Sequence, residues 1–222
     1  MKIDIISDTI CPWCFIGKRR LEKALADRPQ PNVEISWRPF QLNPDMPREG
    51  MDRQSYLAAK FGGADRASRQ YGRIEEAGAS EGIAFRFDGI RRTPNTVNSH
   101  RLVHFAGEHG RQDAVVEGLF RAYFLEGRDV GDVATMVEIA EAAGLPAAET
   151  EAFLKSDGRR DDVLAADEEV RMLGVTGVPC FIIEGKYAVS GAQSPEVFFQ
   201  IFDLVREEQA ENAEKAAAAA GE

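Results

Sequence analysis

Cysteine and histidine are both scarce in this chain of 222 residues, which has three of each. The cysteines, Cys11, Cys14 and Cys180, are too few for the disulfide framework of a small secreted protein, and their odd number leaves at least one thiol unpaired. A zinc site at Cys11 and Cys14 would need a second pair of ligands, for which Cys180 and scattered histidines are a poor set. The informative feature is therefore the pair of cysteines three residues apart.

Long apolar runs and an excess of positive charge are also lacking. No stretch approaches the roughly 20 apolar residues of a membrane-spanning helix, and Asp4 and Asp8 interrupt the region where a signal peptide needs an apolar core. The 27 basic and 37 acidic residues give a net charge of −10, which disfavours nucleic acids and anionic membranes as partners. The sequence therefore predicts a cytoplasmic protein, in a compartment that keeps thiols reduced.

The hydrophobic pattern predicts two short segments with strands at opposite ends of the chain. Alternating apolar residues at 2–7 and 33–40 indicate strands, and apolar residues at helical spacing from 13 to 26 indicate a helix between them. Strand character returns at 180–183 and 186–190 and is followed by a final helix. Neither segment can bury a sheet alone, so we expect one mixed sheet with helices on its faces.

The stretch between these segments has mainly helical spacing, interrupted by glycine and proline. We expect residues 1–40 and 175–222 to form one α/β domain, into which residues 41–174 are inserted as an all-helical lid. Within the insertion, residues 41–50 are expected to form a loop and residues 85–87 a short extended piece.

The motif Cys11-Pro12-Trp13-Cys14 falls where the first predicted strand meets the first helix. A helix N-terminus favours a thiolate, because its unpaired N–H groups and the helix dipole stabilise negative charge. Asp8 either caps this helix or, through its charge, opposes the thiolate. We predict that Cys11 attacks disulfides and that Cys14 resolves the mixed disulfide. Two inert core cysteines, or half of a zinc site, are the alternatives.

A second element, Val178-Pro179-Cys180, opens the third predicted strand. Proline is unusual there because it lacks an N–H for the ladder, and the bond before it is either trans, as at an ordinary strand start, or cis. In the cis interpretation the loop lies beside Cys11, and the exposed backbone of Val178 pairs with an extended substrate. Cys180 is either a small buried hydrophobe or a third redox-active thiol.

Five blocks give the chain a resemblance to a known family. They contain C-P-W-C, W-R-P-F-Q-L-N-P, N-T with H-R-L, G-V-P and S-G-A-Q, within residues 8–17, 37–44, 95–102, 177–179 and 190–193. Together with the order of elements, these blocks resemble the DsbA-like branch of the thioredoxin superfamily, and within it the FrnE-type oxidoreductases. The resemblance implies an α/β thioredoxin-like fold with a large inserted all-helical subdomain. It also implies dithiol–disulfide exchange and a groove between lid and sheet.

The expected substrates are disulfide-containing proteins or small thiols. The dithiol itself carries the chemistry, so no bound cofactor or metal is expected, and glutathione is a candidate co-substrate. In a reducing cytosol the resting pair is a dithiol, which favours disulfide reductase or isomerase activity. The residues leave open whether the chain forms a homodimer.

A glutathione-dependent transferase or a 2-hydroxychromene-2-carboxylate isomerase is the alternative function. The kappa-class transferases and these isomerases share the architecture but usually have serine at the position matching Cys11, so the presence of both cysteines favours redox chemistry. Some FrnE-type proteins have a further cysteine pair near the C-terminus, where this chain has only Cys180.

Five residues are predicted to contact the substrate. Pro12 and Trp13 lie between the cysteines, and Val178 precedes the proline that opens the third strand. The third block adds Asn95 and His100 as candidate groove residues. The alternative for Asn95 is helix capping, and the alternative for His100 is an ordinary place on a helix face.

Overall fold

The computed structural model describes residues 1–62 and 64–220, without the side chains of residues 64, 65 and 216–220. The strands are β1 (Lys2–Ser7), β2 (Glu34–Pro39), β3 (Met51–Asp52), β4 (Arg92–Thr93), β5 (Cys180–Ile183) and β6 (Tyr187–Ser190). The helices are α1 (Pro12–Asp27), α2 (Arg53–Phe61), α3 (Ala64–Ser80), α4 (Val97–Glu108), α5 (Gln112–Phe124), α6 (Val133–Ala142), α7 (Ala147–Lys155), α8 (Arg160–Met172) and α9 (Pro195–Ala220).

The main sheet has the strand order β2-β1-β5-β6. β1 runs parallel to β2 and antiparallel to β5, and β5 forms an antiparallel pair with β6. In this register Ile6, near the end of β1, lies opposite Cys180 at the start of β5. The end of β1, from which the chain enters α1, is therefore adjacent to the loop that enters β5.

The segment between β2 and β5 contains seven helices and a small sheet of β3 and β4 among the described residues. The helices were predicted, but the two-residue strands were not, because so short a ladder leaves no periodic pattern. Residues 85–87 were expected to be extended, whereas Phe87 begins a turn of 3₁₀-helix that ends at Gly89. The tight turn through Asp88 and Gly89 replaces the extended piece.

Both faces of the main sheet are covered. Ile3 and Ile5 of β1, with Phe181 of β5, belong to the large apolar cluster that contains residues of α1, α4, α5 and α9. The adjacent residues Ile6 and Cys180 belong to a smaller cluster with Phe40 and with Val170 of α8. This alternation follows from the period of two along a strand, which sends neighbouring side chains to opposite faces.

Arg101 of α4 connects this helix to the end of α7 and the turn that follows it. Its side chain is 1% exposed and donates hydrogen bonds to the carbonyl oxygens of Phe153, Leu154, Ser156 and Gly158 at 2.7–3.3 Å. The last carbonyls of a helix have no partner within the helix, so a buried guanidinium that donates to them stabilises the helix end.

Candidate active site

The backbone places Cys11 at the first turn of α1. The Cys11 N–H donates to the Asp8 carbonyl at 3.0 Å, and the Cys14 N–H donates to the Cys11 carbonyl at 3.1 Å. Cys11 is the N-cap residue with an extended conformation, and Pro12 occupies the first turn. No side chain caps this end of the helix, so the unpaired N–H groups and the helix dipole remain available to a negative charge on Cys11.

The side chain of Asp8 does not cap α1, contrary to one of the two sequence interpretations. It is fully buried, and its Oδ2 accepts a hydrogen bond from the Leu42 N–H at 2.7 Å. The carboxylate thus holds the loop after β2 against the turn that leads to Cys11.

The loop before β5 lies next to Cys11. The Cys11 Sγ donates to the Val178 carbonyl oxygen at 3.6 Å, and the peptide bond between Val178 and Pro179 is cis. Of the two forms that the sequence left open, the structure has the cis form. Pro179 packs against α1 at Gly17, where an added Cβ would lie 2.9 Å from its Cγ. The structure therefore brings Cys11, Val178 and Pro179 together.

Cys14 lies behind Cys11 and is 1% exposed. Burial raises the pKa of the Cys14 thiol well above its ordinary value, and the hydrogen bond and negative charge of Cys11 raise it further. Hydrogen bonds from the Ser7 side chain and the Asp8 backbone act in the opposite direction but do not compensate. Cys14 is therefore held as a neutral thiol at neutral pH.

A cleft of about 250 Å³ opens above Cys11, between the sheet domain and helices α2 and α3. Cys11, Pro12, Trp13 and Val178 contribute to its lining. Trp13 is 37% exposed, so it offers substrate an aromatic surface. The opposite side is formed by the insertion: Arg53, Tyr56, Lys60, Phe61, Gln70, Tyr71, Ile74, Phe87 and Phe124.

The insertion brings positive charge to this cleft. Arg53, Tyr56 and Lys60 are spaced by three and four residues along α2, which places them on one face. Arg53 donates to the Tyr71 hydroxyl at 2.6 Å and to the Thr93 hydroxyl at 3.2 Å, and its Nε is buried without a partner in the described structure. Lys60 donates to the Tyr56 hydroxyl at 2.6 Å. The partners of both cations are neutral groups.

The predicted contact of Asn95 with substrate stays a prediction, and in this structure its side chain binds backbone groups. Its Nδ2 donates to the Met46 carbonyl at 2.7 Å, and its Oδ1 accepts from the Val97 N–H at 3.0 Å. Asn95 is not part of the lining of the cleft. Its side chain thus connects the N–H of the first residue of α4 to the loop that contains Met46.

His100 does not line the cleft either. It is 5% exposed and lines a separate cavity near the ends of β1 and β2. Its Nε2 lies 3.5 Å from Oδ1 of Asp8. Helical spacing showed that His100 lies on α4, but which neighbours it meets depends on how α4 packs against the sheet.

Cys180 lies on the opposite face of the sheet from the main core. It is 6% exposed and packs with Ile6, Phe40 and Val170. Burial raises the pKa of its thiol. This position matches the interpretation of Cys180 as a small buried hydrophobe.

Among the side chains that the structure describes, at residues 1–62 and 66–215, no three of His, Cys, Asp or Glu are grouped closely enough to hold a metal ion. Within residues 1–62 and 64–220, no helix has the length and apolar character needed to cross a membrane.

Sequence reasoning missed Arg53, Tyr56 and Lys60, which line the cleft. The three residues of α2 share a helix face, and that spacing could have been noticed. A face with two cations is, however, more often a solvated surface, and nothing local shows that it faces Cys11.

Residues 2–203 match the family model of the DSBA-like thioredoxin domain. The chain therefore belongs to the DsbA-like thioredoxin family. It is similar to a probable DsbA oxidoreductase from Streptomyces coelicolor, with 38% identity, a TM-score of 0.85 and coverage of 94% of this chain and 91% of that one.

Two more distant structures share the fold. A 2-hydroxychromene-2-carboxylate isomerase has a TM-score of 0.69 at 17% identity, with coverage of 96% of this chain and 98% of that one. The cytosolic disulfide reductase DsbM from Pseudomonas aeruginosa, in a structure with GSH, has a TM-score of 0.67 at 17% identity, with coverage of 93% and 100%. The predicted thioredoxin-like α/β fold with a helical insertion is confirmed. Assignment to the FrnE type stays a prediction.

Proposed function

We propose that the protein is a cytosolic thiol–disulfide oxidoreductase that reduces or isomerises disulfides through Cys11 and Cys14. The observation that supports this most directly is the position of Cys11. Its sulfur lies at a helix N-terminus, at the floor of a cleft, and 3.6 Å from the Val178 carbonyl beside a cis-proline. Membership of the DsbA-like family supports the same chemistry.

The reaction begins with the Cys11 thiolate, which attacks one sulfur of a substrate disulfide. A mixed disulfide forms, and the other substrate sulfur leaves as a thiolate that takes up a proton. Cys14 then loses its proton and attacks the Cys11 sulfur, which forms the Cys11–Cys14 disulfide and releases the second substrate thiol. The substrate gains two electrons and two protons, and the enzyme dithiol loses them.

The backbone of Val178 positions the substrate beside Cys11. Val178 lies outside the helices and strands. Among the described residues, its N–H donates to no backbone carbonyl. An extended substrate strand can therefore pair with this residue, as strand addition to an exposed edge requires. Trp13, on the rim, contacts the same segment.

The direction of the reaction follows from the redox poise of the cytosol. A couple near −120 mV, such as that of DsbA, favours the dithiol by roughly 4–5 kcal/mol against a poise near −220 mV, whereas a couple near −270 mV favours the disulfide by about 2 kcal/mol against the same poise. Over most of this range the enzyme is reduced and acts as a disulfide reductase or isomerase. The relative DsbM is described as a cytosolic disulfide reductase, which supports this placement.

The charge of the cleft indicates the chemistry of the substrate. Arg53 and Lys60 lie over the Tyr56 ring at 5.6 and 5.2 Å, and their hydrogen-bond partners are neutral. Arg53 is buried and attracts a carboxylate strongly because little water screens it, whereas the exposed Lys60 adds a weaker attraction that water screens. We therefore propose that carboxylate-bearing disulfides, such as glutathione disulfide, are preferred over neutral ones.

Trapping of the mixed disulfide tests this function. Cys14→Ser is expected to accumulate a covalent adduct with glutathione disulfide at Cys11, visible by mass spectrometry of the intact protein. Cys11→Ser is expected to accumulate none, and Cys180→Ser, the matched control, turns over as the unchanged protein does. Turnover that survives Cys11→Ser contradicts the proposal. Glutathione conjugation or isomerisation that survives Cys14→Ala also contradicts it and favours the alternative function.

A further inference from the structure

A second groove begins at the edge of the cleft above Cys11. It holds about 410 Å³ and lies between residues 42–47 and 51 on one side and α2 on the other. Leu42, Tyr56 and Lys60 line both the groove and the cleft, so the two spaces adjoin at these side chains. We call this space the outer groove. The disulfide chemistry described above assigns it no role.

The shape of the outer groove suits a chain that continues beyond the cleft. The cleft itself holds about 250 Å³, slightly less than the roughly 300–1,000 Å³ of typical ligand sites. A polypeptide whose cysteine reaches Cys11 therefore extends past the cleft on at least one side. Pro44, Asp45 and Pro47 are exposed, so the outer groove is open to solvent and a chain can leave it.

One polar atom of the outer groove has no partner. Oδ1 of Asn43 accepts hydrogen bonds from the Tyr56 hydroxyl at 3.2 Å and from Nζ of Lys60 at 3.3 Å. Because an ammonium group only donates, this contact identifies the oxygen and leaves the amide NH₂ as the free donor. Nδ2 of Asn43 is buried and has no hydrogen-bond partner among the described residues. Such orphaned donors are rare, and a substrate carbonyl in the groove supplies the missing acceptor.

The remaining lining is mainly apolar and adaptable. Leu42, Met46 and Met51 contribute side chains to it. Methionine is flexible and polarizable, so it packs against neighbours of different shapes. An amide donor in such a lining binds the main chain of a ligand, which every peptide shares, while the apolar surface accepts varied side chains. These are the properties required by a polypeptide of variable sequence.

The loop that forms one wall is held in place before any ligand arrives. The Met46 N–H donates to the Asn43 carbonyl at 3.1 Å, and Nδ2 of Asn95 donates to the Met46 carbonyl at 2.7 Å. Pro44 and Pro47 each fix a backbone φ angle. A preformed wall reduces the entropy lost when a flexible peptide binds.

We infer that the outer groove binds the polypeptide segment that flanks the reacting cysteine of a protein disulfide, with the Asn43 amide donating to a backbone carbonyl of that segment. The inference rests on the proposed thiol–disulfide function and adds protein disulfides to the substrates of the same site. No bond is made or broken in the outer groove. It holds the chain while Cys11 attacks the disulfide in the adjoining cleft.

Disulfide-linked peptides of different length test the inference. The short substrate is the disulfide of N-acetylcysteine amide, and the two long substrates have five neutral residues added on the amino or on the carboxyl side of the cysteine. In the unchanged protein, we expect kcat/KM for one of the long substrates to exceed that for the short one about tenfold or more. One hydrogen bond and the burial of a few apolar groups suffice for such a factor.

Two tryptophan variants of α2 show where the added residues bind. Ala59 lines the outer groove and is exposed, so Ala59→Trp fills the groove without displacing the core. We expect the ratio of kcat/KM for the long and short substrates to fall to about one. Ala58→Trp is the matched control, because Ala58 is the neighbouring exposed residue and lines neither space. Its ratio should equal that of the unchanged protein.

Asn43→Asp tests the hydrogen bond itself. The substitution keeps an oxygen acceptor for Tyr56 and Lys60 and removes only the NH₂ donor. Because the added residues are neutral, the new charge does not act on them directly. We expect the ratio for the long and short substrates to fall severalfold, and a ratio equal to that of the unchanged protein overturns backbone recognition by Asn43.

The other outcomes separate the inference from the proposed function. Equal kcat/KM for long and short substrates in the unchanged protein overturns the inference, and so does a ratio that Ala59→Trp and Ala58→Trp change equally. If glutathione disulfide loses the same factor as the long peptide in Ala59→Trp, the groove serves small thiols and the inference fails. The proposed function stands in these cases. It fails if the unchanged protein reduces neither the short substrate nor the long ones.

Discussion

Gly17 lies directly against Pro179, so that a Cβ built on Gly17 would be 2.9 Å from the proline Cγ and 3.0 Å from Cζ of Phe181. This close approach holds the first turns of α1 next to the loop that carries the Val178 carbonyl. The distance between Cys11 and Val178 therefore depends on the absence of a side chain at position 17.

Gly17→Ala is expected to destabilise the protein and to slow the first chemical step. Overpacking of a buried contact typically costs about 1–3 kcal/mol, and the displaced loop moves the substrate site away from Cys11. Urea unfolding and the rate at which the reduced protein releases the first thiolate from dithiobis(nitrobenzoate) measure the two effects. Gly72→Ala on α3 is the control, because a Cβ there meets nothing within 4 Å, and it is expected to stabilise the helix. Equal stability of the two variants contradicts the account of Gly17.

Lys60→Glu is expected to weaken the binding of carboxylate-bearing disulfides and to leave the binding of neutral disulfides unchanged. Reversal of the charge at the cleft raises KM for glutathione disulfide about fivefold or more at low salt and leaves KM for hydroxyethyl disulfide unchanged. Lys60 is exposed, so the substitution is tolerated by the fold.

Lys215→Glu, on α9, makes the same change in net charge outside the cleft. It controls for a general electrostatic effect on anionic substrates. An equal rise in KM for both variants, or for both substrates, contradicts a local carboxylate site at Lys60.

The raised pKa of Cys14 predicts a thiol that stays protonated at neutral pH. In the Cys11→Ser/Cys180→Ser protein, Cys14 is the only thiol, and its burial remains when the contributions of Cys11 are removed. Because burial raises the pKa of this thiol, we expect the ultraviolet absorbance of the thiolate in a pH titration to rise only at pH values above the ordinary cysteine pKa of about 8.5. The same titration of a triple variant that also lacks Cys14 gives the absorbance change of the tyrosines, which is subtracted. A midpoint at or below the ordinary value contradicts this interpretation of the site.

Arg101→Met is expected to lower the free energy of unfolding by about 3 kcal/mol or more. The substitution removes a charged donor from four carbonyls and leaves buried acceptors unpaired, each of which costs about 1–3 kcal/mol. Thermal unfolding should shift down by several degrees for a chain of this size. Arg206→Met is the control, since its side chain is 72% exposed. If the free energies of unfolding of Arg101→Met and Arg206→Met differ by less than about 1 kcal/mol, this role of Arg101 is contradicted.

The sequence predicted the cysteine pair, the proline loop and the elements that carry them, because each has a strong local signal. Cys11 and Cys14 have a fixed spacing at a strand-to-helix junction, and Pro179 opens a strand that had to join the same sheet. Once β1 and β5 are neighbours, with Ile6 opposite Cys180, the two motifs meet without further information.

The rest depended on tertiary packing. Asn95 and His100 belong to one sequence block, yet the side chain of the first binds backbone groups of Met46 and Val97, and the second lines a cavity near the ends of β1 and β2. Local spacing does not show which side of α4 meets the sheet. In the same way, Arg53 and Lys60 form an ordinary polar helix face until the fold of the insertion places them opposite Cys11.

The reduction potential of the Cys11–Cys14 pair in a glutathione redox buffer tests the central claim most directly. We expect one reversible two-electron couple, observed by mass spectrometry of the alkylated protein, that is abolished by either Cys11→Ser or Cys14→Ser and retained in Cys180→Ser. A pair that stays reduced at every buffer ratio, or a couple that persists without Cys11, would contradict the account.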